Sequence, residues 1–293
     1  MRRYYIQLHL LVLLITSTGI LGKLIELQTT ALVGWRTLLA SLGAAAWVGL
    51  VRRRPVWPGW RQARVLIGIG LIIGVHWLCF FGAIKLSNLS ICLAGMATIS
   101  LFTAFTEPLL EKRRVRPFEV LLGLLVVAGI MLVAGFERGH ITGLLVAILG
   151  AFLAAIFPVL NRKLVSGGSD SLVMVSWEMV GAFIAVMALH PVLGGGAKDL
   201  VAFGKWDWLW LVCLAWVCTV FGHGFHIRLL KHLSAYTSNL AFNFEPVYGI
   251  LMAAWLFKEH KQLHPLFYAG MGTILLANIL HPLVLRKLAK PVP

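Results

Sequence analysis

Along this chain, apolar runs of about twenty residues alternate with short polar or turn-rich breaks. At 1.5 Å of rise per residue, that is the length a helix needs to cross a hydrocarbon core about 30 Å thick. The pattern predicts ten membrane-spanning helices, near residues 6–25, 30–51, 65–84, 88–106, 117–135, 140–160, 171–190, 209–230, 235–257 and 265–285. The first run follows Arg2 and Arg3 as a secretory signal would. It lacks a small-x-small cleavage site and further spans follow, so it is read as mature structure.

Composition agrees: 59% of the 293 residues are hydrophobic, 13% are charged, and the mean hydropathy is +0.87, which excludes an ordinary soluble domain. The 26 Lys and Arg against 11 Asp and Glu leave +15, a surplus compatible with nucleic acid, an anionic ligand or a membrane surface. Placement decides between them. With the N-terminus inside, eighteen positives fall on the inner side, seven on the outer, and Arg36 lies within span two. Positive charge is retained in the cytoplasm, so both termini are assigned there. The Arg52–Arg54 and Lys112–Arg116 clusters then read as topology signals and contacts for anionic lipid headgroups, not for nucleic acid. Trp57 and Trp60 on one side, and Trp206, Trp208 and Trp210 on the other, fit aromatic belts. Cys79, Cys92, Cys213 and Cys218 lie in apolar runs without C-x-x-C spacing and read as free thiols, so no metal site and no cofactor is expected.

Displacing the sequence by 147 brings His76 onto His223 and Leu86-Ser87 onto Leu233-Ser234; one residue more brings Glu111 onto Glu259 and Pro117 onto Pro265. Lys23-Leu24-Ile25 likewise resembles Lys163-Leu164-Val165, and Trp35-Arg36 resembles Trp177-Glu178. A repeat of five spans, an odd number, places the second half upside down relative to the first, the inverted arrangement of many secondary transporters.

Gly19-Ile20-Leu21-Gly22-Lys23-Leu24 followed by Trp35-Arg36, Asn243-Phe244-Glu245-Pro246 running to Lys258-Glu259, and the Glu-then-Pro lead-in to spans five and ten mark a resemblance. With the five-plus-five layout, they resemble the drug/metabolite transporter superfamily, in its ten-helix members built of two EamA-type repeats. The resemblance implies an all-α integral membrane protein, ten transmembrane helices in two inverted repeats, over residues 6–135 and 140–286, in a bacterial cytoplasmic (inner) membrane. It also implies a small-molecule substrate moved by alternating access, by proton coupling or by facilitated diffusion, and no enzymatic activity.

Ionisable groups at membrane depth are costly and are candidate sites by default. Glu245 lies near the middle of span nine before Pro246, which cannot bond the carbonyl of Phe242 and opens the helix. Asn239 and Asn243 share a helix face beside it, and its repeat counterpart is Ala97. His76 and His223 occupy matching places, suited to proton exchange or to binding a carboxylate. Lys23, Arg36 and Glu178 are read either as snorkelling or structurally paired residues or as gate and anion contacts. From their places in the spans, Arg36 and Glu178 are about 12 Å apart in depth, too far for a direct pair. Pro158 with Asn161 in span six is a second helix irregularity, and Asn278 a bridge between helices. His226 is interfacial on this reading, and the Gly70–Gly74 spacing marks close helix packing. An integral-membrane lipid-modifying enzyme is the competing class; it would need a nucleophile, a base and an orienting group at one depth, which the pattern does not offer. A channel would show charge rings or carbonyl filters. Amino acids and related metabolites, in the export direction, are the favoured substrates. Protons are the candidate coupling ion, membrane lipids the other partner, and one chain encloses a pathway.

Overall fold

The computed structural model describes residues 2–136, 138–245, 248–249, 252 and 265–288. Among the described residues there is helix and no strand. In chain order the helices are α1 (Arg2–Leu24), α2 (Thr29–Ala46, widening into a π turn over Trp47–Val51), α3 (Trp60–Leu86), α4 (Leu89–Met96), α5 (Ile99–Glu111) and α6 (Pro117–Phe136). Then come α7 (Ile141–Ala154), α8 (Phe157–Ser166), α9 (Ser171–Leu189), α10 (Asp207–Val212), a π helix over Cys213–His223, α11 (Gly224–Leu229), α12 (Ala235–Phe242) and α13 (Pro265–Leu288). Among the described residues seven stretches are long and apolar enough to cross a membrane: Arg3–Leu24, Thr29–Val51, Trp60–Leu86, Leu89–Glu111, Ile141–Ser166, Ser171–Leu189 and Asp207–Leu229. The predicted fifth and tenth spans are helical as α6 and α13, which pack on each other. Most of the ninth beyond Glu245, including Pro246, lies outside the described residues.

α3 begins five residues before the apolar run that predicts it, because Gly59 at φ 87° makes the turn and Arg61 and Arg64 ride on the first helical turns. Four spans are irregular in mid-course. Span four divides into α4 and α5 at Ala97-Thr98, and span nine breaks after α12 at Asn243-Phe244. The leading helices α4 and α12 each run eight residues and carry a side-chain N-cap, Asn88 accepting from the Ile91 N–H and Ser234 from the Thr237 N–H. Span six divides at Ala155-Ile156, with Pro158 in the first turn of α8, where its missing N–H costs nothing. Span eight is the π helix Cys213–His223, in which Thr219 Oγ1 donates to the carbonyl of Leu214.

Small residues bring α3 and α9 backbone to backbone. A Cβ on Gly70 would stand 2.0 Å from the Glu178 carbonyl oxygen, and one on Gly181 would stand 2.2 Å from that of Ile67. This crossing holds Glu178 against the bundle interior, where it is fully buried.

Each end of the bundle is tied by a buried carboxylate. Where α1 starts, Glu107 accepts from the Ala235 and Tyr236 N–H groups, both at 3.1 Å, at the N-terminus of α12. It also takes a 3.0 Å bond from Arg113 and lies 3.6 Å from Arg162, while Glu111 bonds Arg162 and Glu119 bonds Arg116. Where α1 finishes, Asp207 accepts from the N–H groups of Glu26, Leu27 and Gly204, and Lys85 donates to the Leu27 carbonyl. Arg113 and Arg116, read from sequence as topology signals and lipid contacts, also engage carboxylates of the protein. Arg113 bonds Glu107 and lies 3.8 Å from Glu119, so it links the end of α5 to the start of α6, while Arg116 pairs with Glu119 three residues on.

Candidate functional site

Where the broken spans meet, the structure encloses a cavity of about 110 Å³, room for several waters or for one small solute group. Its wall mixes apolar rings, Trp77, Phe80, Phe157 and Phe242, with polar groups from five spans: Thr18, Arg36, His76, His223 with His226, Asn239 and Glu245. Met96, Ala97, Ala154 and Pro158, beside the helix breaks, line it as well. The breaks are thus adjacent to the cavity, the place where irregular backbone is tolerated inside a membrane protein.

His76 Nδ1 lies 2.9 Å from the Gly150 carbonyl. A carbonyl only accepts, so Nδ1 carries the proton; in the neutral ring Nε2 is then an acceptor. His223 Nε2 lies 2.8 Å from Glu178 Oε2, joining spans seven and eight. The Phe157 ring stands 5.5 Å from His76 and 6.1 Å from His223, a partition between them. His226, expected at the interface, is buried on the cavity wall with Nε2 2.6 Å from Ser238 Oγ. Ser238 itself does not line the cavity, so this Ser-His pair fastens α11 to α12 and is not an accessible nucleophile.

Arg36 is 3% exposed. Its Nε donates to Thr219 Oγ1 at 2.9 Å, and its guanidinium carbon sits 3.6 Å from the centroid of the Trp77 ring. Arg36 and Glu178 are not bonded to each other; both reach span eight, at Thr219 and His223, one turn apart. Glu245 lines the cavity with no cation within ion-pair distance among the described residues. Asn239 and Asn243, expected to serve Glu245, instead donate across to α5, to Thr103 Oγ1 at 2.8 Å and Ser100 Oγ at 3.0 Å. Asn239 remains on the cavity wall, whereas Asn243 does not line it. Asn161 is fully buried and does not line the cavity. Lys23 is exposed at the end of α1, and the side chain of Asn278 lies outside the described residues. Cys79, Cys92 and Cys218 are buried and Cys213 half-buried, all as free thiols.

Sequence reasoning passed over Glu107, Asp207, Thr18 and Thr219. Only Glu107 carries a signal, because Glu107-Pro108 repeats the Glu245-Pro246 dipeptide in an otherwise apolar run.

A family model described as the EamA-like transporter family matches residues 2–135 and again residues 141–281. The chain belongs to the EamA-like transporter family. It is therefore a multi-pass membrane protein, and the EamA-like family consists of transporters of small molecules and not, typically, of enzymes. A solved structure titled "Crystal structure of protein" is similar over 97% of this chain and 98% of that one, with a TM-score of 0.70 and 17% identity. At that identity the likeness speaks for the shared fold alone. Among curated proteins none matches this EamA-like chain.

Proposed function

We propose that this chain is a secondary transporter exporting a small metabolite, an amino acid or related compound, across a bacterial cytoplasmic membrane by alternating access. One observation carries the reading. Acidic, basic and imidazole groups converge on a central cavity at which four spans are irregular, an arrangement suited to solute passage.

Ten spans in two inverted repeats fit the hydrogen bonds. Trp35 of span two donates to the Leu200 carbonyl in the loop between spans seven and eight, and its repeat counterpart Trp177 of span seven donates to Val56 in the loop between spans two and three. These partners lie at opposite ends of the bundle, as a two-fold axis in the membrane plane requires. The Lys and Arg surplus on the side of the N-terminus supports cytoplasmic termini.

Glu245 and the buried Glu178–His223 pair are the proton-carrying candidates, with His76 as a fixed acceptor facing substrate. Uptake of a labelled metabolite panel into proteoliposomes, with and without a proton gradient, tests the reading. Amino acids should be taken up and the gradient should drive them. Glu245→Gln should lower the rate about tenfold or more and flatten its pH dependence. Unchanged transport and an unchanged pH profile in that variant would remove Glu245 from the mechanism.

A further inference from the structure

Buried guanidinium groups in proteins are ordinarily matched by a carboxylate, because an uncompensated charge at membrane depth costs several kcal/mol. Arg36 has no such match: among the described residues no carboxylate comes within ion-pair distance of it. Nε is bonded to a neutral hydroxyl and the face is covered by Trp77, yet Nη1 is buried with no hydrogen-bond partner. The Thr18 hydroxyl, also on the cavity wall, is buried and equally without a partner. The two belong to one neighbourhood, for Ser17 beside Thr18 contacts Cys218 at 3.5 Å, and Cys218 precedes the Thr219 that holds Arg36. Two unsatisfied polar groups on residues that line one cavity are what a bound ligand would satisfy.

We infer that Arg36, oriented by Thr219 and Trp77 and assisted by Thr18, is the receptor for the carboxylate of the transported solute, which is a monocarboxylate with an apolar body. The inference deepens the transporter reading and rests on it. Charge balance selects the class. One guanidinium neutralises one negative charge; a phosphate ester would bring nearly a second into the same apolar surroundings. The Nη1 amino group donates to one carboxylate oxygen, and the Thr18 hydroxyl is available to the other. The rest of the solute meets Trp77, Phe80 and Phe157, whose faces bind an apolar group. Thr219 is a positioning residue: it fixes the guanidinium through Nε and leaves the opposite edge open.

Paired probes differing only in the charged group test this on the purified full-length protein: L-leucine with L-leucinamide, L-phenylalanine with L-phenylalaninamide, and phenylacetate with phenylacetamide. Binding is read calorimetrically and uptake in proteoliposomes. The wild type should bind each carboxylate on the order of 10–100-fold more tightly than its amide, the range for a hydrogen bond to a charged group. Arg36→Gln should bring that ratio near one; Arg36→Lys should keep part of it, since the charge remains but the fork is lost. Thr18→Val should reduce the ratio severalfold in a protein that elutes and melts as wild type, so the test stands even if Arg36→Gln fails to fold. Equal binding of acid and amide by the wild type, or a full preference surviving in both Arg36→Lys and Thr18→Val, overturns the inference. Failure of every probe to bind overturns it too. In that event, uptake of a neutral or cationic metabolite from the wider panel would leave the transporter reading intact, and uptake of nothing would defeat both.

Discussion

At the scale of single residues, the two histidines that the repeat makes equivalent are chemically unlike. His76 is held by the Gly150 carbonyl, which locks its tautomer, whereas His223 stands within hydrogen-bond distance of Glu178 across two spans. A pair joined in this way exchanges protons only if the carboxylate accepts them. Glu178→Gln keeps an oxygen for His223 but removes that capacity, so it should fold as wild type and flatten the pH dependence of uptake. His76→Asn should instead weaken substrate affinity about tenfold or less, with the pH profile unchanged. Uptake rates from pH 5 to 8 for both variants check the contrast. The sequence marks all three residues as exceptions in apolar runs, but periodicity cannot tell which partner each will meet.

At the scale of elements, the geometry of the site depends on where helices touch and where they break. Gly70 and Gly181 allow α3 and α9 to meet at backbone distance, and a side chain at either would stand against a carbonyl that cannot turn aside. Gly181→Leu should therefore separate the helices and cost about 1–3 kcal/mol or more, visible as a lower midpoint in thermal unfolding in detergent. Gly82, with open space around its Cα, should accept alanine with little change. Glu107 acts at the far end of the same framework, capping α12 while holding Arg113. Glu107→Gln should lose about 1–3 kcal/mol, because the neutral amide satisfies the helix N-terminus less well and removes one of the carboxylates around Arg113. The capped starts of α4 and α12 are written locally in Asn88 and Ser234, and Pro158 announces the start of α8. The π helix over Cys213–His223 has no comparable local cue; packing selects it.

For the whole molecule, the proposed inverted arrangement makes a prediction about sides. Arg53 and Lys198 are both exposed, the first after α2 and the second after α9. Arg53→Cys should react with a membrane-impermeant maleimide only from the cytoplasmic side, and Lys198→Cys only from outside. Labelling of both from the same side would defeat the proposed topology. The native thiols interfere little, since three of the four are buried.

What the sequence by itself determined is what local chemistry writes: the membrane solvent, from the length and purity of the apolar runs, and the family, from two matched halves. A charge in an apolar run also declares itself, because hydrocarbon makes it costly wherever it points. Its role is another matter. Only the tertiary structure decided that Arg162 ties span six to Glu107 and Glu111, that Asn239 and Asn243 bind α5, and that Arg36 keeps an unsatisfied Nη1 beside a cavity. Each of these rests on a contact between spans far apart in the chain. Such contacts are set by helix crossings and register, which depend on all the surfaces packed together and leave no mark at any one position.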